Sequence, residues 1–141
     1  MAEELTASVE LVNQKFKFTG TAMFNDPVSI DYVTPMGDGE GYTSLELFLL
    51  SFASCSASSI LFLLRKSKKN ISGLKVNAKG IRRETHPTSF EKINLEYVVN
   101  SPDVTNADIE KVLKLSEETY CPVWAMIKNN VVVNTVFQII N

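Results

Sequence analysis

Two thiols are the side chains best suited to chemistry in this chain. Cys55 and Cys121 are the only cysteines among 141 residues, and sixty-six positions separate them. That spacing excludes a C-x-x-C redox centre. With His86 as the only imidazole, it also leaves too few soft ligands for a Cys/His zinc site. A bond between the two sulfurs requires Cα atoms within about 7 Å of each other, which sequence separation neither demands nor forbids.

Each thiol has a suggestive setting. Cys121 directly precedes Pro122, and proline favours the first position of a helix. Cys121 then takes the N-cap, where unpaired amides and the helix dipole favour a thiolate. The plain alternative is a cysteine filling a helix junction beside Trp124. Cys55 lies among Ser51, Ser54, Ser56, Ser58 and Ser59, in surroundings more polar than a purely structural core prefers. A buried, inert cysteine is the alternative there. His86 precedes Pro87 in a turn signal and reads as a solvated loop residue. The run Pro35-Met36-Gly37-Asp38-Gly39-Glu40-Gly41 looks like a phosphate cradle only by its glycines. It has no lysine, and Asp38 and Glu40 repel an anion, so a flexible turn fits better.

The elements that must carry these residues follow from hydrophobic period. Residues 5–12 and 15–24 alternate as strands about a turn at Asn13-Gln14, with Leu5, Ala7, Val9 and Leu11 on one face. Val28–Val33 makes a third strand, and a helix runs from about Ser44 to Lys66. Strands over Leu74–Glu84 and Phe90–Val99 flank the His86-Pro87-Thr88 turn. Thr105 with Asp108 forms a capping box, opening a helix whose apolar face is Ile109, Val112, Leu113 and Ser116. Pro122 ends that helix or starts another, and Val131–Ile140 is the last strand. Strands in runs rather than singly between helices predict an α+β fold with largely antiparallel sheets.

One domain accounts for the length. A net charge of −2 gives no basic field for nucleic acid. The acidic start Glu3-Glu4 is no secretory signal, and two cysteines without one point to a reducing cytoplasm. The 18 uncharged residues Leu47–Leu64 are almost long enough to cross a bilayer. Their serine-rich middle, with large side chains at the two ends, fits a buried helix of a soluble protein better. Small residues there would let another backbone approach closely, such as the same helix of a second subunit.

Taken together, these residues resemble the OsmC/Ohr family. Thr43-Ser44-Leu45-Glu46-Leu47-Phe48-Leu49-Leu50-Ser51-Phe52-Ala53-Ser54-Cys55 is similar to its central-helix motif P-x-E-L-L-L-A-A-L-x-x-C, and Glu118-Thr119-Tyr120-Cys121-Pro122-Val123 to its E-x-Y-C-P-V motif. Ile71–Val76 and Phe90–Ile93 resemble its connecting strands, so the likeness runs in order from about Val9 to the C-terminus.

The resemblance implies one OsmC-like domain over residues 1–141. Its sheets would wrap around a long central helix in an intertwined homodimer, with the active sites at the subunit interface. It also implies a thiol peroxidase that reduces organic hydroperoxides, with hydrogen peroxide as an additional substrate and with no metal, flavin or other cofactor. By the same likeness Cys55 is the peroxidatic residue and Cys121 the resolving one. Their disulfide would be reduced by an external dithiol, with no nucleic-acid or membrane partner.

Glu46 matches the family glutamate that pairs with an activating N-terminal arginine. That arginine has no counterpart, because no arginine precedes Arg65 and the early strands offer only Lys15 and Lys17, which lack the planar fork. Arg82 or Arg83 could reach the thiol or simply alternate outward on a strand. Ser44 replaces the family proline and can serve as a cap. Nine helical residues put Glu46 about 13 Å from Cys55 along the axis. It would therefore act across a dimer interface, through another group, or only as a first-turn acid. The competing expectations are a non-enzymatic OsmC-like stress or small-ligand-binding protein with structural cysteines, and a small membrane-anchored protein.

Overall fold

The computed structural model describes residues 2–141, which form two compact units, one extending to Phe48 and the other spanning Leu49–Asn141. The first holds an antiparallel sheet of β1 (Ala7–Leu11), β2 (Phe18–Ala22) and β3 (Val28–Ile30). Ala7 pairs with Ala22 and Phe18 with Ile30. Alternation places Leu5, Ala7, Val9 and Leu11 on one face as expected, yet that face is open in the single chain. Val9 is 62% and Leu11 52% exposed.

Helix α1 (Ser44–Lys66) begins in the first unit and continues through the second. Its ends fall where the charge pattern places them, with Glu46 in the first turn and Arg65 and Lys66 in the last, each sign matched to the helix dipole. The helix is long and apolar enough to span a membrane. Here Phe52, Ser56, Ile60, Leu63 and Leu64 are buried in protein.

The second unit is built on β4 (Gly73–Arg82), β5 (Phe90–Asn100) and β6 (Val132–Ile140). Along β5 the period-2 pattern buries Ile93, Leu95, Tyr97 and Val99 on one face. β4 and β5 pair antiparallel, with a register shift at Ile81/Arg82 beside the turn. β5 and β6 pair in parallel, Lys92 opposite Val132 and Asn100 opposite Ile140. The sheets are thus largely antiparallel as expected, and this pair is the exception. A parallel neighbour needs a crossover, and the helical segment between β5 and β6 supplies it.

That crossover contains α2 (Asn106–Leu115), a single π-helical turn (Ser116–Tyr120) and α3 (Pro122–Ile127). Thr105 and Asp108 form the expected reciprocal cap, and Ile109, Val112, Leu113 and Ser116 are all buried. Burial of that stripe is what fastens α2, because ten residues alone are too few for a stable helix in water.

Candidate functional site: a thiol pair between α1 and α3

The second unit brings the two cysteines together. Cys55 lies mid-way along α1 and is half-buried, while Cys121 caps α3 and is buried. The Cys121 thiol donates to the Cys55 sulfur across 3.1 Å. Both thiols are free, and this separation is too long for an S–S bond of about 2.05 Å.

Local sequence explains how Cys121 gets there. The π turn closes with the Cys121 amide donating to the Ser116 carbonyl at 2.9 Å, one residue further back than in an α-helix. Cys121 then takes an extended backbone, φ −89° and ψ 105°, and Pro122 starts α3. The Cys121 sulfur accepts the Trp124 amide at 3.4 Å, the N-cap bond anticipated from the Cys-Pro dipeptide. The π turn itself has no signal in Ser116-Glu117-Glu118-Thr119-Tyr120. Ser116 Oγ is buried with no hydrogen-bond partner among the described residues.

Of the two readings open for Cys121, the electrostatics oppose the thiolate. Burial pushes the thiol up to about 11, and the bond to Cys55 adds to the rise, while the Trp124 and Val123 amides offset only part of it. Loss of hydration outweighs a cap on a six-residue helix. Cys121 is thus a protonated donor at neutral pH, and Cys55 is the acceptor.

Two contacts bracket the pair. The Phe52 and Trp124 rings meet edge to face at 5.5 Å and 80°. Ser56 Oγ and the Tyr97 hydroxyl share a 2.6 Å hydrogen bond, with both residues fully buried. Burial drives Tyr97 up to about 12; the Ser56 bond opposes that shift, and the charge of Cys121 adds to it. Neither residue was singled out from sequence, because Tyr97 is one more inward position of β5 and Ser56 one of several serines.

Glu46 makes a local contact at the start of α1. Its carboxylate accepts the Thr43 amide at 2.8 Å, and its own amide donates to Thr43 Oγ1 at 3.2 Å. This is a capping box, with Thr43 rather than Ser44 as the cap.

The arginines of the second unit are engaged elsewhere or remote. Arg82 donates to the Thr88 carbonyl and hydroxyl, and Arg83 to the Pro87 carbonyl, so both fasten the β4–β5 turn. Arg65 is ten residues along α1 from Cys55, about 15 Å of helix rise. His86 is exposed in the same turn.

The glycine-rich loop of the first unit is pinned rather than flexible. The Asp31 carboxylate, 3% exposed, accepts the amides of Tyr32, Asp38 and Glu40. A side chain at Gly37 would collide with the Tyr32 carbonyl, which accounts for that glycine. Asp31, Asp38 and Glu40 together could hold a cation. Their oxygens already have partners, however, in those three amides and in Lys15 (2.8 Å, to Asp38) and Lys17 (3.5 Å, to Glu40).

Residues 37–136 match the family described as OsmC-like protein. The chain belongs to that family. Protein YhfA of Escherichia coli is 28% identical over 96 residues, covering 68% of this chain and 72% of YhfA, and its name states no activity. The crystal structure of a hypothetical protein from Aquifex aeolicus is 28% identical, with a TM-score of 0.84 over 98% of this chain and 97% of that one. An organic hydroperoxide resistance protein OsmC from Legionella pneumophila shares the fold at 15% identity, with a TM-score of 0.74 and 98% of each chain covered. The α+β architecture of two sheets and a long helix is therefore that of OsmC and Ohr structures. The family match runs across both compact units of this chain, and α1 is a core helix of this OsmC-like fold.

Proposed function

We propose that this OsmC-like protein is a cytoplasmic thiol peroxidase that reduces organic hydroperoxides. The observation that carries the reading is the 3.1 Å approach of a half-buried Cys55 sulfur and a buried, protonated Cys121 thiol. The Cys55 thiolate attacks the distal peroxide oxygen. The O–O bond breaks, a proton converts the departing alkoxide to alcohol, and Cys55 is left as a sulfenic acid. The Cys121 thiol then displaces water from that sulfur to form a disulfide. An external dithiol reduces the disulfide by exchange and returns both thiols. The assignment of roles follows exposure, since the peroxide must reach the first sulfur and only the sulfenic acid need reach the second.

We read all 141 residues as one OsmC-like domain acting as a homodimer. The open apolar face of β1 supports this, as do Leu50 and Phe62, which are more than half exposed along α1. In such a dimer Glu46 serves first as the capping carboxylate of α1. The deciding assay is consumption of cumene hydroperoxide by the reduced protein with a dithiol supplied. Consumption of neither that peroxide nor hydrogen peroxide would overturn the reading.

One set of observations favours a second reading, a non-enzymatic OsmC-like stress or ligand-binding protein. The activating arginine of the hydroperoxide reductases has no counterpart before Arg65, and Arg82 and Arg83 are held on a turn. Thiol labelling separates the two readings: an activated Cys55 is alkylated rapidly below pH 7, and a merely structural one is not.

A further inference from the structure

A thiol pair reacts internally only as fast as its surroundings hold the sulfurs in line. A misplacement of about 1 Å can cost on the order of a hundredfold in an intramolecular reaction. The Cys55–Cys121 pair is held from two sides. On one side Phe52, one helical turn before Cys55, meets Trp124, three residues after Cys121. That contact is apolar and tolerates sliding.

On the other side Ser56, the residue after Cys55, is tied to Tyr97 on β5 by a 2.6 Å hydrogen bond. Both groups are excluded from solvent, so neither hydroxyl has water as a substitute partner. A directional bond between two buried groups fixes both the rotation of α1 about its axis and its height over the sheet. Cys55 is the immediate neighbour of the anchored residue. Tyr97 is inward-facing with Ile93, Leu95 and Val99 on the central strand of its sheet, the most constrained place the second unit offers.

We propose that Tyr97 and Ser56 are positioning residues for the thiol pair, setting the effective concentration of Cys121 at Cys55 through their shared hydrogen bond. The proposal deepens the peroxidase reading by naming what makes the resolving step intramolecular, and it concerns the same two cysteines. Neither hydroxyl touches peroxide. Their effect is on formation of the disulfide, in which each cysteine sulfur loses its proton and the pair gives up two electrons to the oxidant.

The test uses glutathione as that oxidant, so that no peroxidase activity is needed. In the balanced exchange, reduced protein plus glutathione disulfide gives oxidised protein plus two glutathione thiols. Titration of the full chain against glutathione redox buffers yields the effective concentration of the pair. Tyr97→Phe and Ser56→Ala should each lower it by about tenfold, the scale on which small misplacements act. The double variant should fall no further than either single one, because both remove the same bond.

The double variant leaves no orphaned buried hydroxyl and so tests the proposal even if one single variant folds poorly. An effective concentration within twofold of the wild type in the folded double variant would overturn the proposal, as would additive losses. Peroxide consumption by the wild type is measured separately. A protein inert to peroxide but with a Tyr97-dependent effective concentration loses the peroxidase reading and keeps this one.

Discussion

Phe52 and Trp124 stand edge to face with their ring centres 5.5 Å apart, each three residues from a cysteine. The contact joins α1 to α3 at the point where residues far apart in sequence bring two sulfurs within 3.1 Å. Aromatic pairs of this geometry contribute about 0.5–1.5 kcal/mol beyond the area they bury. Trp124→Ala should therefore cost about 3–5 kcal/mol of stability, as large-to-small core changes do. Trp124→Phe should cost far less, and denaturant unfolding of the two variants checks the difference.

Cys55→Ser should abolish peroxide turnover, a loss of at least about a thousandfold if the reaction is covalent at this sulfur. Cys121→Ser should keep the first step and accumulate a sulfenic acid on Cys55 that dimedone traps. Full activity in the Cys55 variant would remove the assignment of roles.

The Cys121 thiol, raised to about 11 by burial, gives stability a direction on the alkaline side. In the unfolded chain the thiol loses its proton near the ordinary value of 9.0, before the folded chain does. Between those two values the native state binds more protons, so stability falls as pH rises. Thermal melts of the wild type should drop from about pH 9 upward, and Cys121→Ala should flatten that decline.

Glu46→Gln preserves an acceptor for the Thr43 amide, whereas Thr43→Ala removes the cap. The Thr43 change should cost about 1 kcal/mol and the Glu46 change less, in line with measured caps. If Glu46 also acts on the thiol across a dimer, Glu46→Gln will lower peroxide turnover more than this small loss of stability explains. Melting and turnover measured side by side on the same variant decide between these outcomes.

Asp31→Ala takes the acceptor from three backbone amides at once. Leaving buried donors unpaired costs about 1–3 kcal/mol. The 31–41 loop should gain hydrogen exchange in that variant, while residues 90–100 on β5 keep their protection.

How far sequence reached can be seen in individual residues. The capping box at Thr105, the buried stripe Ile109, Val112, Leu113 and Ser116, and the ends of α1 were all legible, because each is written in residues a few positions apart. The parallel setting of β6 was not. Alternation along Val132–Ile140 gives a strand and leaves its direction open. The π turn escaped because its residues fit an α-helix equally well, and the widening shows only in the bond from Cys121 to Ser116. The meeting of the sulfurs is tertiary, and no local pattern encodes it. The Asp31 clasp could have been suspected from an aspartate standing before a glycine-rich loop, since such residues bond nearby amides.

The parallel pairing of β5 and β6 also orders events in time. Because the crossover must be complete before β6 can dock, the setting of Cys121 is closed only after β6 has been made. At about 5–20 residues per second of synthesis, Cys55 leaves the ribosome several seconds before its partner. During that interval the nascent helix carries a solitary thiol open to small oxidants and to mixed disulfides. A fragment ending at Ile127 would hold both sulfurs yet lack the strand that closes the crossover, so its thiols should behave as strangers.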